Sequence, residues 1–257
     1  MRIAVINWSR RKVVGVETYL STVIPELFQA GHEMAFWFEV NEPVERELIN
    51  LPPGSPAWCV SELGAKRALA ALSEWQPSLI YTHKILDPEL EAETLRIAPS
   101  VFFAHDYHGT CISGDKTFKY PVVKPCNRRF GWQCLMHYFP HRCGGLSPIT
   151  MLKLYDSQSK RLKLLHRYDA IVTHSHHMLA ELIKHDLSPQ SAYNFPYYVV
   201  RANYVEQASL SYPSSSQAQQ PDTLSLPVLD SSYAGKAPSE TGTKTSFGYC
   251  FRGGWNS

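Results

Sequence analysis

Ser100–Asp106 reads SVFFAHD, a short apolar run that ends on a histidine and an aspartate. Such a run, bounded by polar residues, has the length and composition of a strand buried on both faces, as in a parallel sheet. In an open α/β sheet, ligands lie outside the carboxyl ends of the strands, so side chains at that end face the crevice. His105 and Asp106 are therefore the first candidate catalytic residues. The plain alternative is a loop histidine bonded to a backbone carbonyl.

Outward from this strand, apolar β-rich runs alternate with segments of helical period, the pattern of a parallel sheet covered by helices. Arg2–Asn7 reads as the first strand. After a polar loop to Gly15, Val16, Tyr19, Leu20, Val23, Leu27 and Phe28 recur at helical spacing until Gly31. Met34–Glu39 re-enters the sheet, and a Pro-rich connection leads to a short apolar stretch at Ala57–Val60. A helix over Glu62–Trp75, a strand at Leu79–Thr82 and a helix over Pro88–Ile97 come next, before the strand Val101–Ala104. Ile171–Thr173 reads as a further strand and Ser175–His185 as a helix, with Ser175 placed to cap it.

Between these strands, residues 107–148 form an excursion far longer than an ordinary strand-to-helix loop, which implies a function or a structure of its own. It holds four of the six cysteines. Cys111, Cys126, Cys134 and Cys143 offer a four-thiolate zinc site, although no CxxC pair occurs; the alternative is packed thiols. Lys116, Lys119, Lys124, Arg128 and Arg129 give the loop a positive face suited to an anionic ligand. The following stretch, Ser147–Arg167, reads as a basic amphipathic helix, either a solvated face or a peripheral membrane contact.

Composition bounds the rest. With 257 residues, 44% apolar and 19% charged, the chain fits a globular protein. Its net charge of +2 is too mild to argue for nucleic acid as a partner. The N-terminal MRIAVINW reads as neither a secretory signal nor a membrane span, and the cysteine spacings do not suggest a disulfide framework. The expected location is cytoplasmic, with peripheral contact at the inner membrane face as an extension. Beyond Val205 the sequence turns rich in Ser, Gln, Pro and Thr without sustained period, and 206–257 is expected to be a disordered tail.

Four stretches together resemble a known family. They are VVGVETYLSTVIPELFQAGHEM at 13–34, FFAHD at 102–106, DAIVTHSHHM at 169–178 and NFPYYV at 194–199. The chain resembles, over about residues 1–200, the N-terminal domain of the retaining glycosyltransferases of family 4, which have a two-domain GT-B architecture. The resemblance implies a Rossmann-like α/β domain over 1–205, with helices on both faces of a parallel sheet and a Cys-containing insertion. It implies hexosyl transfer from a nucleotide-diphosphate sugar to a saccharide or lipid-linked saccharide acceptor, with no cofactor required.

By the same resemblance His105 contacts the reacting sugars at the cleft mouth, and Asp106 orients either an acceptor hydroxyl or the histidine, favouring imidazolium. Gly15, ahead of a helix N-terminus, lets amides approach an anion or a sugar hydroxyl, with Val14 standing where a first glycine is common. Glu17, His83, Lys116 and Ser175 complete the expected substrate-binding set. Nothing after Pro196 resembles the family's donor-binding half with its Glu-x7-Glu motif; Glu206 and Glu240 do not form one. The sequence thus reads as a truncated acceptor-side half, weak or inactive alone and paired with a separately encoded donor domain. The alternatives are a non-catalytic sugar- or partner-binding module and a metal protein built on the four cysteines.

Overall fold

A computed structural model describes residues 1–12, 15–41 and 46–196. The tail at 206–257, Val14, and the glutamates Glu206 and Glu240 lie outside the described residues. The strands of the main sheet are β1 (Arg2–Ser9), β2 (Glu33–Val40), β3 (Ala57–Cys59), β4 (Leu79–Thr82), β5 (Ser100–Ala104), β8 (Ala170–Thr173) and β9 (Ala192–Asn194). β6 (Thr117–Phe118) and β7 (Lys124–Pro125) make a separate antiparallel ribbon inside the excursion. The seven strands are all parallel and run in the order β3-β2-β1-β4-β5-β8-β9. The order reverses between β1 and β4, which places the ligand crevice of a Rossmann-like sheet at their carboxyl ends.

The helices are α1 (Gly15–Gln29), α2 (Val60–Leu63), α3 (Ala65–Glu74), α4 (Pro88–Thr94), α5 (Gln133–Tyr138), α6 (Pro148–Leu165) and α7 (His176–Lys184). The pleat of β1 explains their two-sided arrangement. Ile3 and Val5 pack with Val16, Leu20 and Ile24 of α1, while Ala4 and Ile6 pack with Ala68 and Leu72 of α3 on the other face. At the far side of the sheet, Phe102, Ala104 and Ile171 meet Leu165 at the end of α6 and Met178 and Leu182 of α7. Strands covered on both faces need apolar side chains at odd and even positions alike, so they read as unbroken apolar runs.

The expected helix over 62–75 is two helices, broken at Gly64, whose φ of 81° no ordinary helical residue adopts. Ser147 and Ser175 cap α6 and α7, their hydroxyls accepting from the N–H groups of Thr150 and Met178. Among the described residues no helix is long and apolar enough to cross a membrane.

The excursion folds around a small core of its own, Ile112, Phe118, Phe130, Tyr138 and Cys143, backed by Met151, Leu154 and Tyr155 of α6. It is fastened to α7. The Lys116 ammonium lies 2.9 Å from the Glu181 carboxylate, and the Phe130 N–H donates to His185 Nε2 at 2.8 Å. It is fastened to α6 as well, at Gly109. That residue has a φ of 82°, donates its N–H to Gln158 Oε1 at 2.6 Å, and leaves a β-carbon only 2.8 Å from Leu165 Cδ1 and 3.3 Å from the Leu162 backbone nitrogen. Gly109→Ala is expected to lose about 2–4 kcal/mol, from left-handed strain plus overpacking against a helix backbone. Urea unfolding measures it, and a loss below about 1 kcal/mol would show that the turn relaxes.

Candidate functional site

Parallel register and strand alternation assemble the site. Tyr81 pairs with Val101 and Thr82 with Phe102, so the next residues put His83 beside Phe103, with His105 two further on. Tyr81 and His83 from β4, and Phe103 and His105 from β5, therefore share the face covered by α1, where Tyr19 meets them. The rings form one cluster: Tyr81–His83 at 4.3 Å, Phe103–His105 at 4.6 Å and Tyr19–Phe103 at 4.7 Å between centroids. Tyr19 and Tyr81 join through their hydroxyls at 3.0 Å.

At the centre, His83 Nδ1 and His105 Nε2 are 2.9 Å apart and share a hydrogen bond. Among the described residues His83 Nε2 is buried without a hydrogen-bond partner. An orphaned buried N–H is the rarer arrangement, so the proton is assigned to Nδ1 of His83, which donates to His105. Burial drives the His83 pKa well below the usual imidazole value, and the neighbouring His105 pushes the same way. Burial likewise lowers the His105 pKa to about 3, against the pull of Asp106 and with the help of His174 and Lys84. Both rings are neutral at pH 7. A neutral imidazole in an aromatic wall can bond a hydroxyl without bringing a counterion into the site.

Asp106 has close partners of its own. Its carboxylate is held by His108 Nδ1, by the His108 N–H at 3.0 Å and by the Lys84 ammonium at 3.4 Å. Burial works to raise the Asp106 pKa, but His108 and Lys84 outweigh it and hold the group well below the ordinary carboxylate range. Imidazolium at His105 is not favoured, because desolvation exceeds the attraction of Asp106. The Lys84–Asp106–His108 group forms a charged rim beside a neutral pair.

The other expected residues divide. Gly15 opens α1 and faces open space. Glu17 lies in the first turn of α1 but is fully buried, its Oε1 accepting from Asn7 Nδ2 at 2.9 Å and Trp8 Nε1 at 3.0 Å, so it braces the end of β1. His83 belongs to the central pair. Ser175 spends its hydroxyl on the cap of α7. Lys116 is 4% exposed, donates to the carbonyls of Thr110 and Arg128 at 3.1 and 2.5 Å and pairs with Glu181, so it locks the insertion and offers no free charge to a ligand.

The four cysteines of the zinc expectation lie within electrostatic reach of one another in the insertion, Cys111, Cys126 and Cys134 all acting on Cys143. Cys111, Cys126, Cys134 and Cys143 carry no disulfide, and among the described residues no group of three or more His, Cys, Asp and Glu is placed to hold a metal ion. Cys126, Cys134 and Cys143 instead pack in the small core of the insertion, while Cys111 Sγ accepts the Lys116 N–H at 3.3 Å. Burial, and then the other three thiols, push Cys143 up to about 11, which keeps it protonated.

Sequence reading missed Tyr19, Tyr81, Lys84 and His108. The signal for the first two was the repeated aromatic-x-histidine at Tyr81-Thr82-His83 and Phe103-Ala104-His105, each placing two rings on one face. A separate cavity of about 200 Å³ lies at the ends of β2 and β3, lined by Arg10, Arg11, Asn41, Trp58, Cys59 and Glu62 among others.

No protein-family model matches the chain, and no curated protein matches it. Solved structures do. HepE of Anabaena in complex with UDP aligns over 77% of this chain and 44% of its own, at 13% identity and a TM-score of 0.42. The sucrose-phosphate synthase of Thermosynechococcus elongatus aligns over 82% and 53%, at 14% identity and a TM-score of 0.45. UGT2 of Phytolacca americana, in its apo form, aligns over 83% and 55%, at 10% identity and a TM-score of 0.46. The chain thus spans about half the length of these proteins, and what its crevice can do is decided by its own residues.

Proposed function

We propose that the chain is the acceptor-side half of a retaining glycosyltransferase of the GT-B type, with residues 1–205 as its domain. The observation that carries the reading is the His83–His105 pair, neutral and ringed by Tyr19, Tyr81 and Phe103, at the carboxyl edge beside the strand-order switch. Sugars are neutral and polyhydroxylated, and aromatic faces with one uncharged hydrogen-bonding imidazole suit them. The family resemblance of the FFAHD stretch points to the same histidine. A nucleotide-diphosphate sugar is the proposed donor and a saccharide or lipid-linked saccharide the acceptor. The free thiols of the described residues accord with a cytoplasmic setting.

Transfer requires donor and acceptor held at near-attack distance in a closed, water-poor cleft. The described residues build one wall of such a cleft. By themselves they are expected to turn over UDP-, GDP- or ADP-sugars far more slowly than the roughly 1–1000 per second of ordinary enzymes. Saccharide binding followed by NMR should nevertheless be measurable, and His105→Ala should weaken it about tenfold or more, the scale of one lost hydrogen bond in a partly desolvated site. The absence of any saccharide binding, or binding unchanged in His105→Ala, would sink the sugar reading. Turnover at ordinary rates would overturn the half-enzyme part alone.

A further inference from the structure

Between 119 and 155 the chain carries six Lys and Arg residues and no Asp or Glu. The same stretch exposes large apolar side chains in three places around the small core of the insertion. At the tip of the β6–β7 ribbon, Val122 and Val123 are 66% and 73% exposed; around α5, Trp132 and Met136 are 63% and 56% exposed; at the start of α6, Leu146 and Ile149 are 78% and 66% exposed. Each segment buries its other side in one shared core with Phe118, Tyr138 and Met151. Ribbon and α5 segment are tied together. The Lys119 N–H donates to the His141 carbonyl at 2.9 Å, and the Arg142 guanidinium stacks 4.8 Å from the Tyr120 ring centroid.

A soluble surface rarely exposes so much apolar side chain, and within 119–155 every Lys and Arg adds positive charge with no Asp or Glu between them, which complements an anionic surface. Lys119 and Arg129 have carboxylate partners in Asp115 and Asp186, which leaves Lys124, Arg128, Arg142 and Lys153 as exposed cations without an ion pair among the described residues. Apolar and aromatic residues for the acyl boundary, with Lys and Arg for the headgroups, are the composition of an interfacial membrane contact. We infer that the insertion and the start of α6 form a docking surface for an anionic lipid bilayer, with Val122, Val123, Trp132, Leu146 and Ile149 entering the interface.

The inference stands on the exposed face alone and not on the sugar reading, so the two fail separately. The test is co-sedimentation of the full chain with vesicles of phosphatidylcholine containing phosphatidylglycerol, against phosphatidylcholine alone. Binding is expected only to the anionic vesicles and should weaken with salt. Lys124→Gln with Arg142→Gln should lower the partition coefficient about fivefold per charge removed. Val122→Asp with Val123→Asp should abolish binding, and because these side chains are exposed the far-ultraviolet circular dichroism should be unchanged. Failure to bind anionic vesicles overturns the inference, as does binding that ignores both sets of substitutions. A dimer that the aspartate pair dissolves, with no vesicle binding, overturns it in favour of a second copy of the chain.

Discussion

Replacing Arg161 by methionine is expected to remove about 3–5 kcal/mol of folding stability, the scale for one partner taken from a buried ion pair. Arg161 rises from α6 into the interior, where its Nη1 lies 3.2 Å from Glu91 Oε2 and its Nη2 donates to the Leu86 carbonyl at 2.5 Å. Glu91 is 2% exposed, and its other oxygen accepts the Tyr168 hydroxyl at 2.8 Å. Burial already raises the Glu91 pKa; Arg161 is the largest influence holding it down. Methionine keeps much of the volume and removes the counter-charge, so the carboxylate must either stay ionised in a dry site or take up a proton. Because that folded-state pKa would then lie further above its unfolded value, the penalty is fullest at neutral pH and relieved as pH falls. Adding Glu91→Gln to Arg161→Met should recover about half of the loss. Urea unfolding at pH 7 and near pH 5 measures both variants, and a loss under about 1 kcal/mol would mean that water reaches the pair.

The second large effect is a loss of stability in mild acid. His83 and His105 have folded pKa values below the free imidazole value near 6.5, His105 at about 3. The unfolded chain therefore binds protons first as the solution is acidified. Their contribution is fully present above about pH 6.5 and is lost as pH falls toward the folded values, at up to about 1.4 kcal/mol per pH unit for each ring. Buried His185 acts in the same direction: its Nε2 already accepts the Phe130 N–H and cannot also carry a proton. A loss of about 3 kcal/mol between pH 6.5 and 5 is expected. His83→Asn, whose amide can mimic the Nδ1 donor, should reduce the slope by about one proton. Imidazole resonances of His83 or His105 that titrate near 6.5 in the folded protein would refute this account.

How much of this was legible in the sequence depended on where each segment is buried. β1, β2, β4, β5 and β8 could be read because both faces are covered and apolar residues run without interruption, while the three-residue edge strand β3 showed only as a short apolar stretch. β9 could not, since three residues at a sheet edge leave no pattern. The insertion was recognisable only as something too long to be a loop. Its ribbon strands have two residues each and α5 has six, too short for either period to show. At the site, His105 could be found from its position at a strand end and His83 was among the expected residues, but that the two pair could not be read. Adjacency in sequence suggested Asp106, whereas alternation along the strand sends neighbours to opposite sides and brings His83 across from β4. Lys116 misled for a related reason: charge in a loop gives no sign of whether a carboxylate 65 positions later will claim it.

The fastening of the insertion to α7 also sets an order of events during synthesis. Phe130 must wait for His185, 55 residues further along, and Lys116 waits longer still for Glu181. At about 5–20 residues per second that delay is roughly 3–11 s, during which the strands up to β5 can already pair while the insertion lacks its anchor. The exposed apolar side chains of the insertion are thus secured on the nascent protein only after the strands up to β5 have been made.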